Sequence, residues 1–134
     1  MSITVNSLRD HRILHILFTD SWGLADLRSM TATIRTYLDQ VEDKTHCIVD
    51  LSRPRSIPPG ILLQFRDSLL VDHPKSGEFA VVFGTPAVRT FAELAFRLAH
   101  FTRVRFFGTE DAAWAYIRSI VASEDNLALS NSAQ

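Results

Sequence analysis

Residues 46–86 read HCIVDLSRPRSIPPGILLQFRDSLLVDHPKSGEFAVVFGTP, and this stretch decides the fold. Two apolar runs within it, at 46–51 and 78–83, are typical of strands that are covered on both faces. Between them, apolar residues recur at helical spacing, and Pro58-Pro59 suits the start of that helix. A strand, a helix and a second strand in this order predict a parallel pair joined by a helical crossover.

The flanking segments extend the same alternation in both directions. An opening hairpin comes before the stretch, and two further helices and a strand are predicted after it. Thr85 and Thr109 are the expected N-caps of the last two helices, and Pro86 suits the first helical position. Strands are predicted at 2–8, 12–19 and 103–107, and helices at 24–41, at 86–100 and from 109 onward.

The resulting order is β-β-α-β-α-β-α-β-α. It predicts one α/β domain with a mixed, mostly parallel sheet of about five strands and helices on its faces. The domain is expected to span residues 1–122. Residues 123–134 lose periodicity and gain small polar residues, so they are expected to form a disordered C-terminal tail.

Composition narrows the function classes. The 134 residues carry 14 basic and 15 acidic side chains, a formal net charge of -1, which argues against a nucleic-acid partner. No apolar run approaches the roughly 20 residues that span a bilayer, so no membrane span is expected. The single cysteine, Cys47, excludes an internal disulfide. The first residues lack a signal-like pattern, and a cytoplasmic location is the expectation.

Several local strings resemble a known family. They are IVDLS at 48–52, IPPGIL at 57–62, FAVVFG at 79–84, VRFF at 104–107 and DAAWAYI at 111–117. Together with the element order, they resemble the STAS domain of anti-sigma factor antagonists, and in particular its SpoIIAA-like branch, which is grouped with CRAL-TRIO-like lipid carriers. The resemblance covers roughly residues 10–120. It implies a non-enzymatic regulatory domain that binds a protein partner and forms a homodimer.

One motif departs from the family. STAS regulators carry Asp-Ser-Ser-Gly at the start of the second helix, where a serine is phosphorylated. The matching positions here read Ile57-Pro58-Pro59-Gly60 and offer no hydroxyl group. The serine phosphoswitch of the family is therefore not expected at these positions.

The loops at the carboxyl ends of the predicted strands are the candidate binding region, since ligands of open α/β sheets favour this edge. Helix N-termini there can receive an anion, and nearby arginines add positive charge. Ordinary caps and solvated arginines are the alternative interpretation. The candidate ligand- or partner-binding residues are Asp20, Trp22, Ser52, Arg53, Arg55, Pro58, Gly60, Thr85, Arg89 and Phe96.

Two of these residues are aromatic. Trp22 lies in a polar loop, where it either anchors a partner or folds back onto the helix that it precedes. Phe96 falls outside the core stripe expected for the third helix, which includes Leu94 and Leu98. Phe96 is therefore expected to be a dimer contact, the wall of a groove or a singly exposed aromatic side chain.

Catalytic, metal and cofactor signatures are missing from the sequence. None of the five histidines lies at metal-ligand spacing from another. A set of Ser52, His73 and Asp50 lacks a nucleophile elbow, and Asp50 is expected to bond turn amides. We therefore expect no enzyme activity, no cofactor and no metal. A carrier for an apolar small molecule or lipid, with a cavity lined by Leu63, Phe65, Phe91 and Phe96, is the alternative function.

Overall fold

The computed structural model describes residues 3–8 and 12–132. Five strands form one sheet in the order β1-β2-β3-β4-β5. β1 runs antiparallel to β2, and the other neighbours are parallel, so the predicted mixed α/β fold is confirmed. The strands are β1 (Ile3–Leu8), β2 (Ile13–Phe18), β3 (Thr45–Leu51), β4 (Ser76–Phe83) and β5 (Val104–Phe107).

Four helices follow the strands as the sequence predicts. They are α1 (Leu24–Gln40), α2 (Leu62–Ser68), α3 (Pro86–Leu98) and α4 (Glu110–Ser132). Thr85 and Thr109 cap α3 and α4, and each threonine hydroxyl oxygen accepts a backbone N–H three residues on, at 3.2 Å. Helix α2 starts later than Pro58-Pro59. Gly60 adopts a left-handed φ of 71°, which keeps the helix from forming before Ile61.

The sheet has a different cover on each face. On one face, called here the three-helix face, alternate strand residues such as Phe18, Val49 and Phe79 pack with α1, α2 and α3. On the opposite, single-helix face, Ile48 and Val82 pack with α4. This division follows from the strand order, because right-handed crossovers that always step in one direction put their helices on one side.

Residues 123–132 differ from the expectation of a disordered tail. They continue α4 to Ser132, and residues 133–134 lie outside the described part. The physical reason is an anchor of charged side chains at the turn where the helix passes the sheet. Glu124 bonds both Arg12 and His46, and Asp125 bonds Arg12. Apolar periodicity alone does not reveal such an anchor, because its side chains are charged or polar.

The core stripe of α3 is rotated from its predicted position. The buried residues are Val88, Ala92, Ala95 and Phe96, whereas Leu94 and Leu98 are exposed. The prediction that Phe96 is exposed is therefore wrong. The chain reverses at His100, where φ is 54°, and the amide of Phe101 donates to the carbonyl of Phe96 at 3.1 Å. The Phe101 ring then packs on Phe96, with 5.9 Å between the ring centres.

A helix that crosses a bilayer has to be both long and apolar. None of the described helices combines the length and the apolar character that a membrane-spanning helix needs.

Candidate functional site

Three loops at the carboxyl ends of β2, β3 and β4 meet around one open pocket of about 500 Å³. We call it the strand-end crevice. Five of the candidate residues from the sequence line it together, although they come from well-separated positions in the chain. Its lining consists of Thr19, Asp20, Ser52, Arg53, Pro54, Arg55, Gly84 and Thr85.

Close backbone packing holds two of these loops together. A Cβ atom at Gly84 would lie 2.4 Å from the carbonyl oxygen of Ser52, so only glycine lets the end of β4 approach that loop. The Ser52 amide in turn donates to the Asp50 carboxylate at 2.9 Å. This bond confirms the expected role of Asp50 in the turn. The floor of the crevice is thus fixed by backbone geometry.

The polar rim of the strand-end crevice is exposed and carries a small positive excess. Arg53, Arg55 and Asp20 are all exposed. Within residues 3–8 and 12–132, neither arginine forms an ion pair with a carboxylate. The N-terminus of α3 begins beside Thr85, and its partial positive charge adds to that of the arginines. Such a rim favours an anionic or acidic group over a cationic one.

The strand order provides no switch point beneath the crevice. A deep crevice forms in doubly wound sheets where the strand order reverses and neighbouring helices lie on opposite faces. Here β2 to β5 follow one another without a reversal. The loops therefore provide the walls, and the pocket opens widely to solvent.

The structure separates the other candidate residues from the crevice lining. Trp22 is 7% exposed and packs edge-on against Phe18, with 5.0 Å between ring centres, so it belongs to the core and not to a surface anchor. Arg89 lies 4.9 Å over the Phe83 ring. Pro58 and Gly60 belong to the loop before α2, outside the crevice lining.

The residues considered for a serine triad or a reactive thiol are also apart. The Nε2 atom of His73 lies 2.8 Å from Asp39, close to the start of β4 and far along the strand direction from Ser52. Cys47 is fully buried, and burial raises the pKa of its thiol to about 12. A thiol in that state is a poor nucleophile at neutral pH.

Sequence reasoning missed a polar cluster on the single-helix face. His15 from β2, Asp50 from the end of β3 and Glu110 from the first turn of α4 bring their ligand atoms within 4.8 Å of one another. The Nε2 atom of His15 lies 2.6 Å from a Glu110 carboxylate oxygen. The available signal was His15 itself, the polar exception in an apolar strand. The register that puts it near Asp50 is not visible in the sequence.

A second polar network, which was also not predicted from the sequence, anchors α4 at the amino ends of the strands. The backbone amide of Glu78 donates to Nδ1 of His46 at 2.9 Å, so Nε2 carries the proton that it donates to Glu124 at 3.0 Å. Burial acts to raise the pKa of Glu124, but the bonds from His46 and Arg12 outweigh it and hold that pKa below its ordinary value. Glu124 is therefore a charged acceptor that ties α4 to β2 and β3.

Aromatic side chains form a second pocket beside the edge strand β5. Its volume is about 430 Å³, and its apolar lining comes from Phe96, Phe101, Val104 and Phe106. It is not the cavity expected from the sequence. Phe65 packs at 0% exposure against other rings, and Leu63 is 53% exposed.

Comparisons of the chain with protein-family models, with curated proteins and with solved structures gave no match. The resemblance to STAS domains therefore stays a prediction that rests on the sequence strings quoted above.

Proposed function

We propose that this chain is a non-catalytic regulatory domain of STAS-like type that binds an acidic segment of a protein partner in the strand-end crevice. The single observation that carries the proposal is the convergence of Asp20, Ser52, Arg53, Arg55 and Thr85 on one pocket. These side chains come from three loops and are held by a backbone contact at Gly84. A preformed docking surface of this kind needs little rearrangement on binding.

The charges of the rim supply the preference for an acidic segment. Arg53 and Arg55 are exposed and free of ion pairs within the described residues, so their guanidinium groups are available for bidentate bonds to carboxylates. Asp20 on the same rim repels an anion that is placed wrongly and so helps to set orientation.

The proposed mode of regulation differs from that of the serine-switched family. Pro58 and Pro59 occupy the positions of the phosphorylated motif and have no hydroxyl group. Binding is expected to be controlled by the availability of the partner. A phosphate mapped by mass spectrometry to Ser56, the hydroxyl-bearing residue next to this motif, would contradict the loss of the serine switch.

The test uses charge reversal at the rim. A photo-crosslinking amino acid at Ser52 captures partners in cells, in the natural sequence and in an Arg53→Glu/Arg55→Glu variant. We expect the double variant to lose the captured protein, because like charges across the crevice cost several kcal/mol in an interface. Recovery of the same protein from both would refute docking in the crevice.

A matched control separates this effect from a general change of charge. Arg28 and Arg35 lie on the exposed face of α1, away from the crevice. An Arg28→Glu/Arg35→Glu variant makes the same change in net charge and is expected to keep the captured protein. Loss of capture in the control would assign the effect to net charge.

A carrier for an apolar small molecule or lipid is the second candidate function. The pocket beside β5 favours it, because its volume of about 430 Å³ falls in the range of small-ligand sites and four of its eight lining residues are apolar. Native mass spectrometry distinguishes the two functions. A lipid that co-purifies in stoichiometric amount supports the carrier, and an empty chain supports the binding domain.

Homodimerisation and a cytoplasmic location belong to the same proposal. The buried free thiol of Cys47 is compatible with a reducing compartment. A dimer contact has to use exposed residues, since Phe96 is 3% exposed. Light scattering at several concentrations measures the mass, and a constant monomer mass would remove the dimer from the proposal.

A further inference from the structure

We propose that His15, Asp50 and Glu110 form a binding site for a divalent transition-metal ion, with zinc as its best-matched occupant. The three side chains come from β2, the end of β3 and the start of α4, and their donor atoms lie within 4.8 Å of one another. This site lies on the single-helix face and adjoins the strand-end crevice through the bond from the Ser52 amide to Asp50, but it does not depend on the function proposed for the crevice.

The distances suit a small ion. Two donors at about 2.1 Å from a tetrahedral zinc ion are about 3.4 Å apart. The His15–Glu110 separation of 2.6 Å has to open by less than an ångström, and Glu110 is 45% exposed, so solvent leaves room for its carboxylate to move outward. The Asp50 and Glu110 carboxylates have to move closer to each other only when both bind the same ion.

Charge balance favours a divalent cation as the occupant of this site. Two carboxylates face the same point, while His15 offers at most one positive charge. Asp50 is 5% exposed, and within the described residues no arginine or lysine pairs with it. Its one backbone bond, from the Ser52 amide, leaves the buried negative charge uncompensated. A divalent cation compensates both carboxylates at once.

The surroundings hold the imidazole in a suitable position. The ring of Trp114 stacks on His15 at 5.9 Å between centres and 20° between planes, and this restricts rotation of the imidazole. One imidazole and two carboxylates form a mixed nitrogen and oxygen donor set, which suits zinc and its first-row neighbours better than calcium. Three protein ligands leave at least one position for water or for a donor atom of another molecule.

The test is isothermal titration of the metal-free chain with Zn²⁺. We expect one ion per chain, and at least about tenfold weaker binding in Glu110→Gln and in Asp50→Asn, since even supporting residues of metal sites change affinity by 10–100-fold. Asparagine at position 50 keeps an acceptor for the Ser52 amide. Glu110 is exposed, so Glu110→Gln keeps the test valid even where Asp50→Asn fails to fold, as checked by circular dichroism.

His73 provides the matched control. It pairs with Asp39 at 2.8 Å, a histidine–carboxylate contact that has no third ligand in the described part of the chain. His73→Gln is expected to leave zinc binding unchanged. Equal weakening in His73→Gln and Glu110→Gln would overturn the site in favour of scattered surface binding. Zinc binding to Glu110→Gln with the affinity of the natural chain, or no stoichiometric binding at all, would also overturn it.

Discussion

Replacing Gly77 of β4 with alanine tests the bond between His46 and Glu124 that anchors α4. β3 and β4 change register here: Thr45 pairs with Ser76 but Cys47 pairs with Phe79, so β4 contains one extra residue. Glu78 follows the glycine, and its amide bonds Nδ1 of His46. A Cβ atom at Gly77 would lie 2.4 Å from that same Nδ1 atom. Alanine therefore cannot coexist with the imidazole in its present position.

The expected cost has two parts. Overpacking in a well-filled core costs about 1–3 kcal/mol. Displacing the imidazole leaves the half-buried Glu78 amide without its acceptor, and a lost hydrogen bond costs about 1 kcal/mol more. We expect Gly77→Ala to lower the free energy of unfolding by about 3 kcal/mol, a large share of the roughly 5–15 kcal/mol typical of a domain. His46→Ala should cost a similar amount, because it removes the same acceptor.

A double-mutant cycle makes the reasoning refutable. If His46 is the group that clashes, Gly77→Ala should cost much less in a His46→Ala background, and the two effects should differ from additivity by at least about 1 kcal/mol. Chemical denaturation with constant m-values measures all four free energies. Effects that add to within about 0.5 kcal/mol would refute the clash with His46. Hydrogen exchange in residues 123–129 should rise in both single variants, because Glu124 loses its bond from His46.

Three further predictions concern other parts of the molecule. Phe96→Glu should lower the free energy of unfolding by about 3–5 kcal/mol, because it buries a charge among aromatic rings; an unchanged free energy of unfolding in chemical denaturation would contradict the burial. Thr85→Ala should cost about 1 kcal/mol in thermal or chemical unfolding, since the amide of Val88 loses its cap, and an unchanged stability would mean that the cap is dispensable. Glu124→Gln should be less stable than the natural chain above the ordinary glutamate pKa of about 4.3. Because folding lowers the pKa of Glu124, that stability difference should vanish as the pH falls through the folded-state pKa, and a difference that persists in acid would contradict the bonds from Arg12.

The element order was predictable because each element carries its own periodic pattern. The run at 46–51 is apolar at three successive positions, 47–49, and again at Leu51, as is typical of a strand covered on both faces, and Thr85 and Thr109 are local cap signals. Such signals depend only on residues a few positions away in the chain. They can therefore be recognised without knowing which elements pack together.

Features that depend on distant partners were not predictable. Phe96 is buried between Phe79 and Phe106 of the sheet and Phe101, which the chain brings back where it reverses at His100, outside the helical period of α3. Residues 123–132 are helical beside a charged anchor whose partners, Arg12 and His46, lie more than 75 residues away. The candidate site divides in the same way. Its loops were identified from strand ends, but the proximity of His15 to Glu110 depends on register.

The stepwise order of the strands has a consequence for synthesis on the ribosome. Each new strand from β2 to β5 docks beside the one made just before it, so most of the sheet can assemble as the chain emerges. Helix α4 comes last and alone covers Ile48 and Val82. Until α4 has emerged from the ribosome, the side of the nascent sheet that it covers stays bare, and chaperone binding or aggregation should concentrate in that interval.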